Sequence, residues 1–204
     1  NKRIHIMGLG SVGRFIAHSL ISIPNPPPIT LIFPRPAALK GWNTSKRTIR
    51  LKSGDVIETR SGFDAELALP RPRLHGREVQ PEDTSNPSDP FASTSSTVPE
   101  PDPPLEGEST DPIHTLILCT KCSTVTSALS AVRDRLTPDS VILFLQNGMG
   151  HIDEVNAQIF PDPATRPHYM VGINSHGLNR LAAEPFLAVH AGAGTISLGI
   201  LPHE

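Results

Sequence analysis

Apolar residues along the chain gather into short continuous runs separated by stretches that are apolar on one side only. Buried strands joined by amphipathic helices give this pattern. The first run, Ile4 to Met7, leads into Gly8-Leu9-Gly10-Ser11-Val12-Gly13. In SVGRFIAHSL, which follows, Val12, Phe15, Ile16 and Leu20 recur at helical spacing. IPNPPP (23–28) is a loop, because consecutive prolines cannot continue a helix. ITLIF (29–33) predicts a second buried strand, ended by Pro34-Arg35-Pro36. ALKGWNTS is a connection able to carry a short helix, and residues 47–52 and 56–59 predict a hairpin about Ser53-Gly54-Asp55. Residues 113–120 and 140–146 predict two more buried strands. Helices are predicted from about Ser123 to Leu136, with Val125, Leu129, Val132 and Leu136 on one face, and over HIDEVNAQIF (151–160). Three short strands close the chain, at 169–174, 185–191 and 195–198.

Strand-helix alternation followed by short strands predicts an α/β fold. Its sheet is Rossmann-like, doubly wound and mostly parallel, with antiparallel strands at the C-terminal edge. Composition adds one interruption. The 204 residues suffice for a well-cored domain, but 22 prolines and 37% hydrophobic residues leave part of the chain without core-forming material. That part is Pro70 to Pro112, dense in Pro, Ser, Thr, Asp and Glu. It reads as a disordered insertion (70–112) within one domain spanning 1–204.

The net charge of -2 is unevenly spread: basic residues from Lys2 to Arg60 are answered only by Asp55 and Glu58, whereas every charge from Glu78 to Asp111 is acidic. With 4% aromatic residues and no RNA-recognition motif, nucleic acid is not the expected partner. No apolar run reaches membrane-spanning length, so no membrane association is expected. Two cysteines cannot form a disulfide framework and suit a reducing compartment. The cytoplasm is the expected location and the mitochondrion the alternative, since a targeting segment ahead of Asn1 would lie outside the sequence.

The chemistry concentrates at the glycines. In a G-x-G-x-x-G turn between strand and helix, Gly8 permits the tight exit and Gly10 lets the backbone approach a pyrophosphate. Gly13 lets the helix pack closely on the sheet. The free N–H groups and positive dipole end of the helix then face phosphate. At the end of the second strand, where an NAD site carries Asp or Glu, stands Arg35, the arrangement that accommodates a 2′-phosphate; the expected cofactor is NADP. Cys119-x-x-Cys122 has the form of a redox motif, but Cys119 falls inside a buried run and reads as a packed small side chain. His151 and Glu154 share a helical face without the H-E-x-x-H pattern, so no metal site is expected.

GLGSVG, the strand-end Lys121 in LILCTK, LFLQNGMG with Asn147, the SHG at 175–177 and the closing VHAGAGTISLG together resemble one family. It is the ketopantoate reductase (2-dehydropantoate 2-reductase) family, and the match is to its nucleotide-binding domain. The resemblance covers the chain except for the insertion, which with the Pro-rich linkers gives the sequence a fungal character. It implies an enzyme that reduces ketopantoate, a small 2-oxo acid, to pantoate with NADPH, toward pantothenate and coenzyme A. It further implies that Gly8, Leu9, Gly10, Ser11, Val12 and Gly13 hold the pyrophosphate and Arg35 the 2′-phosphate. Lys121 would lie near the cofactor, Asn147 at the junction of nicotinamide and substrate, and Leu178 beside the cofactor through its backbone. The family's general-acid Lys and its substrate-binding Asn, Ser and acidic residues belong to a helical second domain with no counterpart before Glu204. The chain, as a fragment or a truncated product, is therefore expected to bind NADPH weakly at most and not to turn over ketopantoate. A homodimer, if there is one, would form through that second domain. The rival reading is a non-catalytic binding protein on the same fold, such as a fungal mitochondrial translation activator, in which the basic first third serves RNA.

Overall fold

The structure is a computed structural model. It describes residues 2–69, 73–74, 77–78, 105–146, 148 and 150–202. The chain opens with β1 (Ile4–Met7), α1 (Ser11–Ile21), β2 (Ile29–Phe33) and α2 (Pro36–Thr44). It continues with β3 (Ile49–Ser53), β4 (Val56–Arg60), β5 (Asp64–Leu67) and the two-residue strands β6 (Arg73–Leu74) and β7 (Arg77–Glu78). The second half carries β8 (Thr115–Leu118), α3 (Val125–Ser130), β9 (Val141–Phe144) and α4 (His151–Gln158). It ends with β10 (His168–Asn174), β11 (Gly177–Arg180), β12 (Leu187–Gly192) and β13 (Ile196–Ile200).

The main sheet has the order β13-β10-β9-β8-β1-β2-β5. Every pairing in it is parallel except β10 with β13, the antiparallel edge that the sequence predicts. Each inner strand sends alternate side chains to opposite faces. Ile29, Leu31 and Phe33 of β2 join Ile6, Ile117 and Leu145 on one face, packed under α1 and α2. Met7, Ile32, Leu116, Leu118, Ile142 and Phe144 point the other way, onto α3 and α4. Two apolar faces explain why these strands read as continuous apolar runs.

A second sheet, order β11-β12-β3-β4, was not foreseen. The β3–β4 hairpin agrees with the sequence expectation; β12 pairs parallel with β3 and antiparallel with β11. α1 lies between this sheet and the main one, touching β1 on one side and β3, β11 and β12 on the other. An aromatic cluster ties the two sheets together. The fully buried Trp42 ring lies 6.0 Å from Phe33, 6.2 Å from Phe63 and 4.9 Å from Phe186.

Three elements depart from expectation. The helix predicted over 123–136 is broken: a 3-10 turn at Cys122–Thr124, then α3, then a second 3-10 turn at Arg133–Arg135. Hydroxyl side chains compete for its backbone, Thr124 Oγ1 donating to Lys121 O and Ser127 Oγ to Thr124 O. Its apolar positions are nonetheless buried as expected. β5 escapes a hydrophobicity reading because Asp64 and Glu66 interrupt it. Glu66 is buried only because Arg135 Nη1 donates to its Oε1 at 2.7 Å, while Arg135 Nε donates to Asp111 O. β11 escapes because Leu178 is its one large apolar residue.

Most of the Pro70–Pro112 segment lies outside the described residues. Its described parts are β6 and β7, paired antiparallel, and residues 105–112. The latter run beside the edge strand β5, where Leu67 N donates to Gly107 O at 2.7 Å. Among the described residues no helix is long and apolar enough to cross a membrane.

Candidate functional site

β1 lies between β2 and β8 in the main sheet. The chain leaves β1 through α1 toward β2, and later returns to the other side of β1 as β8. Such a reversal opens a crevice at the C-terminal ends of the two strands, where open α/β sheets take their ligands. Cys119 N donates to Met7 O and Leu145 N to Leu118 O, so the exits of β1, β8 and β9 stay in register.

The glycines have three separate tasks. Gly8 has φ +95°, and a Cβ there would stand 2.5 Å from Thr120 N, so the turn presses directly on the backbone leaving β8. Gly13 presses on Gly8: a Cβ on it would overlap the Gly8 carbonyl oxygen. A Cβ on Gly10 would meet nothing within 4 Å. Gly10 is also the residue that starts α1, with no side-chain cap and no acidic residue in the first turn. The N–H groups at that end therefore face a cleft without a protein anion to satisfy them.

That cleft, of about 670 Å³, is walled by Gly10, Ser11 and Val12 from α1 and by Cys119, Thr120, Lys121 and Cys122 beyond β8. Leu145 and Gln146 beyond β9, and Leu178, Asn179 and Arg180 of β11, complete it. Lys121 and Arg180 bring positive charge, and no acidic residue lines the cleft among the described residues. An anion held against a helix N-terminus fits this donor set. Gln146 is 9% exposed, and neither its amide nitrogen nor its amide oxygen has a partner among the described residues; the Thr120 hydroxyl is likewise unpartnered. Buried polar groups without partners are costly, and bound ligands commonly supply what is missing.

Of the residues singled out in the sequence, Gly10, Ser11, Val12, Lys121 and Leu178 meet in this cleft, and Gly8 and Gly13 shape its floor. Leu9 packs against the apolar face under α1. Arg35 does not line the cleft. It is exposed and extended (φ -149°, ψ 139°) at the exit of β2, immediately before α2. Asn147 lies outside the described residues, although its neighbours Gln146 and Gly148 are described.

Gln146, Cys122 and Arg180 are cleft residues that the sequence reading missed. Position after a strand could have found Gln146, but nothing in the polar run around Arg180 announces a strand. The two cysteines are free thiols. Burial pushes the Cys119 thiol up to about 12, which leaves it without nucleophilic thiolate. Cys122 Sγ lies 3.8 Å from His151 Nδ1, whose imidazole burial holds below its ordinary range. His176 and His190 are engaged with each other and with the backbone. Their rings are joined Nδ1 to Nε2 at 3.0 Å, and His176 Nδ1 accepts from Gly194 N. Among the described residues no group of three His, Cys, Asp or Glu side chains could hold a metal ion.

Comparison with known proteins agrees with this geometry. The family profile "Ketopantoate reductase PanE/ApbA" matches residues 4–203. A "Probable 2-dehydropantoate 2-reductase" of Schizosaccharomyces pombe is 30% identical over 202 residues, 99% of this chain and 48% of that protein. A "Ketoisovalerate reductase" of Beauveria bassiana is 25% identical over 206 residues, 97% of this chain and 38% of that protein. Among solved structures, the "Probable 2-dehydropantoate 2-reductase panE" of Bacillus subtilis superposes with a TM-score of 0.60 at 24% identity. It covers 98% of this chain and 50% of that one. The chain thus spans half or less of the length of these relatives. Because the profile runs from the first strand of the main sheet past its last, the chain belongs to the ketopantoate reductase family.

Proposed function

We propose that this chain is the NADP-binding part of a 2-dehydropantoate 2-reductase, which reduces ketopantoate to pantoate. The observation that carries the reading is the start of α1. It is uncapped and free of acidic side chains, and Gly10 opens it to a cleft whose charged lining residues are Lys121 and Arg180. A dinucleotide pyrophosphate matches that combination in charge and in its need for a close backbone approach.

When bound, the nicotinamide ring supplies the hydride. The chain's own residues hold and orient. Ser11 and Val12 offer N–H groups to the pyrophosphate, and Arg35, two residues past β2, takes the 2′-phosphate and selects NADP over NAD. Asn147, next in sequence to Gln146, orients the ketone by hydrogen bonding. Lys121 and the backbone of Leu178 complete the wall beside the cofactor. The proton on the product oxygen comes from a Lys of the family's helical second domain, through which we also place a homodimer. The free thiols accord with a cytoplasmic protein.

The test is NADPH oxidation by the full-length gene product, with ketopantoate and with other 2-oxo acids such as ketoisovalerate. Ketopantoate is expected to have the highest kcat/KM. Preference for another 2-oxo acid would replace the substrate, and no oxidation with any of them would overturn the reductase reading.

A further inference from the structure

Two arginines flank the start of α1: Arg14 within its first turn, and Arg180 on β11, which packs on α1. The described ion pairs engage Arg3, Arg50, Arg60 and Arg135 with carboxylates. Arg14 and Arg180 have no such partner among the described residues. Arg14, at the end of the first turn of α1, is held in place: its Nη1 donates to Leu187 O at 2.9 Å, and its guanidinium lies 5.9 Å from the Phe186 ring centroid. Its Nε is buried without a partner among the described residues. Burial and the positive charge of Arg180 both work against protonation of Arg14. Like charges placed together without a counter-charge are destabilising unless something anionic comes between or beside them.

Arg180 is the free member of the pair. It is exposed, lines the cleft, and is carried by β11, a strand that packs on α1. We propose that Arg180 is a pyrophosphate-binding residue: its guanidinium shares the dinucleotide's phosphates with the backbone N–H groups of the α1 N-terminus. The role rests on the dinucleotide reading of the cleft. Attachment of β11 to α1 holds Arg180 on the side of the cleft formed by the helix start, which favours the pyrophosphate over the carboxylate of a 2-oxo acid; among the described residues β11 pairs with β12 alone. Arg14 keeps the surroundings positive without leaving its carbonyl and its ring. The guanidinium fork can engage two phosphate oxygens at once, which an ammonium cannot.

Titration calorimetry on the protein and on Arg180→Met and Arg180→Lys, with ADP-ribose, AMP and NADPH as probes, tests the role. ADP-ribose carries the pyrophosphate, whereas AMP does not. Arg180→Met is expected to weaken ADP-ribose and NADPH alike by about tenfold or more and to leave AMP within about twofold. Arg180→Lys is expected to fall between and to keep the wild-type salt dependence for ADP-ribose, whereas Arg180→Met, which loses the charge, shows a shallower one. Unchanged ADP-ribose affinity in Arg180→Met overturns the proposal. So does a wild-type protein that binds AMP as tightly as ADP-ribose. Arg180-dependent ADP-ribose binding by a protein that fails to oxidise NADPH with any 2-oxo acid supports the phosphate role and removes the reductase reading. Arg180 is exposed and makes no described ion pair, so its replacement leaves the core intact, and the melting temperature of each variant verifies this.

Discussion

The carbonyl oxygen of Gly8 occupies the space that a Cβ on Gly13 would need, whereas Gly10, between them, has open space where its Cβ would go. Three glycines of one turn are thus required for different reasons, and substitution separates them. Gly13→Ala forces α1 away from the exit of β1 and is expected to cost about 1–3 kcal/mol of stability, the range of overpacked sites. Gly10→Ala keeps an ordinary backbone conformation (φ -70°, ψ -162°) and should cost less than about 1 kcal/mol. Its methyl would stand in the cleft where phosphate approaches, so NADPH affinity should fall about tenfold or more. Thermal melts and cofactor titrations of both variants check this. A Gly10→Ala protein with wild-type cofactor affinity would place the phosphate elsewhere.

Arg35 is the proposed discriminator of the 2′-phosphate, and its exposed position at the exit of β2 leaves its side chain free to turn toward a ligand. Arg35→Ala should lower NADPH affinity about tenfold while changing NADH affinity little, since only one cofactor carries the extra phosphate. Competitive titration of the two cofactors gives the ratio. Equal ratios before and after the substitution would assign the 2′-phosphate to another residue.

The parts of the fold legible from sequence are those where one physical effect dominates. Ile29–Phe33 is buried at every position, and Val141–Phe144 is buried on one face and half-buried on the other, so continuous apolar runs announce them. The Gly8–Gly13 turn is legible because φ +95° at Gly8 and the contact of Gly13 with Gly8 admit no side chain. β5 is hidden because its burial depends on the Glu66–Arg135 pair, whose members are 69 positions apart. Arg180 is hidden for a related reason. It enters the cleft only because β12 pairs with β3, and that pairing joins two hairpins from opposite ends of the chain. Local patterns carry strand and turn chemistry, whereas long-range pairing decides which polar residues share a cleft.

The two thiols should differ sharply in reactivity. Both cysteines line the cleft and are half-buried, but burial pushes the Cys119 thiol up to about 12, whereas Cys122 Sγ lies beside His151. Iodoacetamide is expected to label Cys122 in the folded protein much faster than Cys119, whose thiolate is scarce, as peptide mass spectrometry would show. NADPH should slow labelling of Cys122 if it fills this cleft. Equal labelling of both cysteines would contradict the raised pKa of the Cys119 thiol, and an unchanged rate with saturating NADPH would locate the cofactor away from Cys122.

His5, on β1, sets a pH dependence of stability far from the cleft. Its ring is 4% exposed and its Nδ1 has no partner among the described residues. Burial chiefly, then the positive charges of Arg135 and Arg3, hold its pKa down at about 4 against the ordinary 6.5. Between those values the unfolded chain takes up a proton that the folded protein refuses. The stabilisation is therefore complete above pH 6.5 and is lost as pH falls toward 4, up to about 3 kcal/mol over the whole window. His18 and His151 are shifted in the same direction, also chiefly by burial, and add to the same trend. The melting temperature should accordingly drop between pH 7 and pH 5, and His5→Gln should drop less steeply over that range whatever its starting stability. Parallel curves for the two proteins would show that His5 takes up its proton in the folded state.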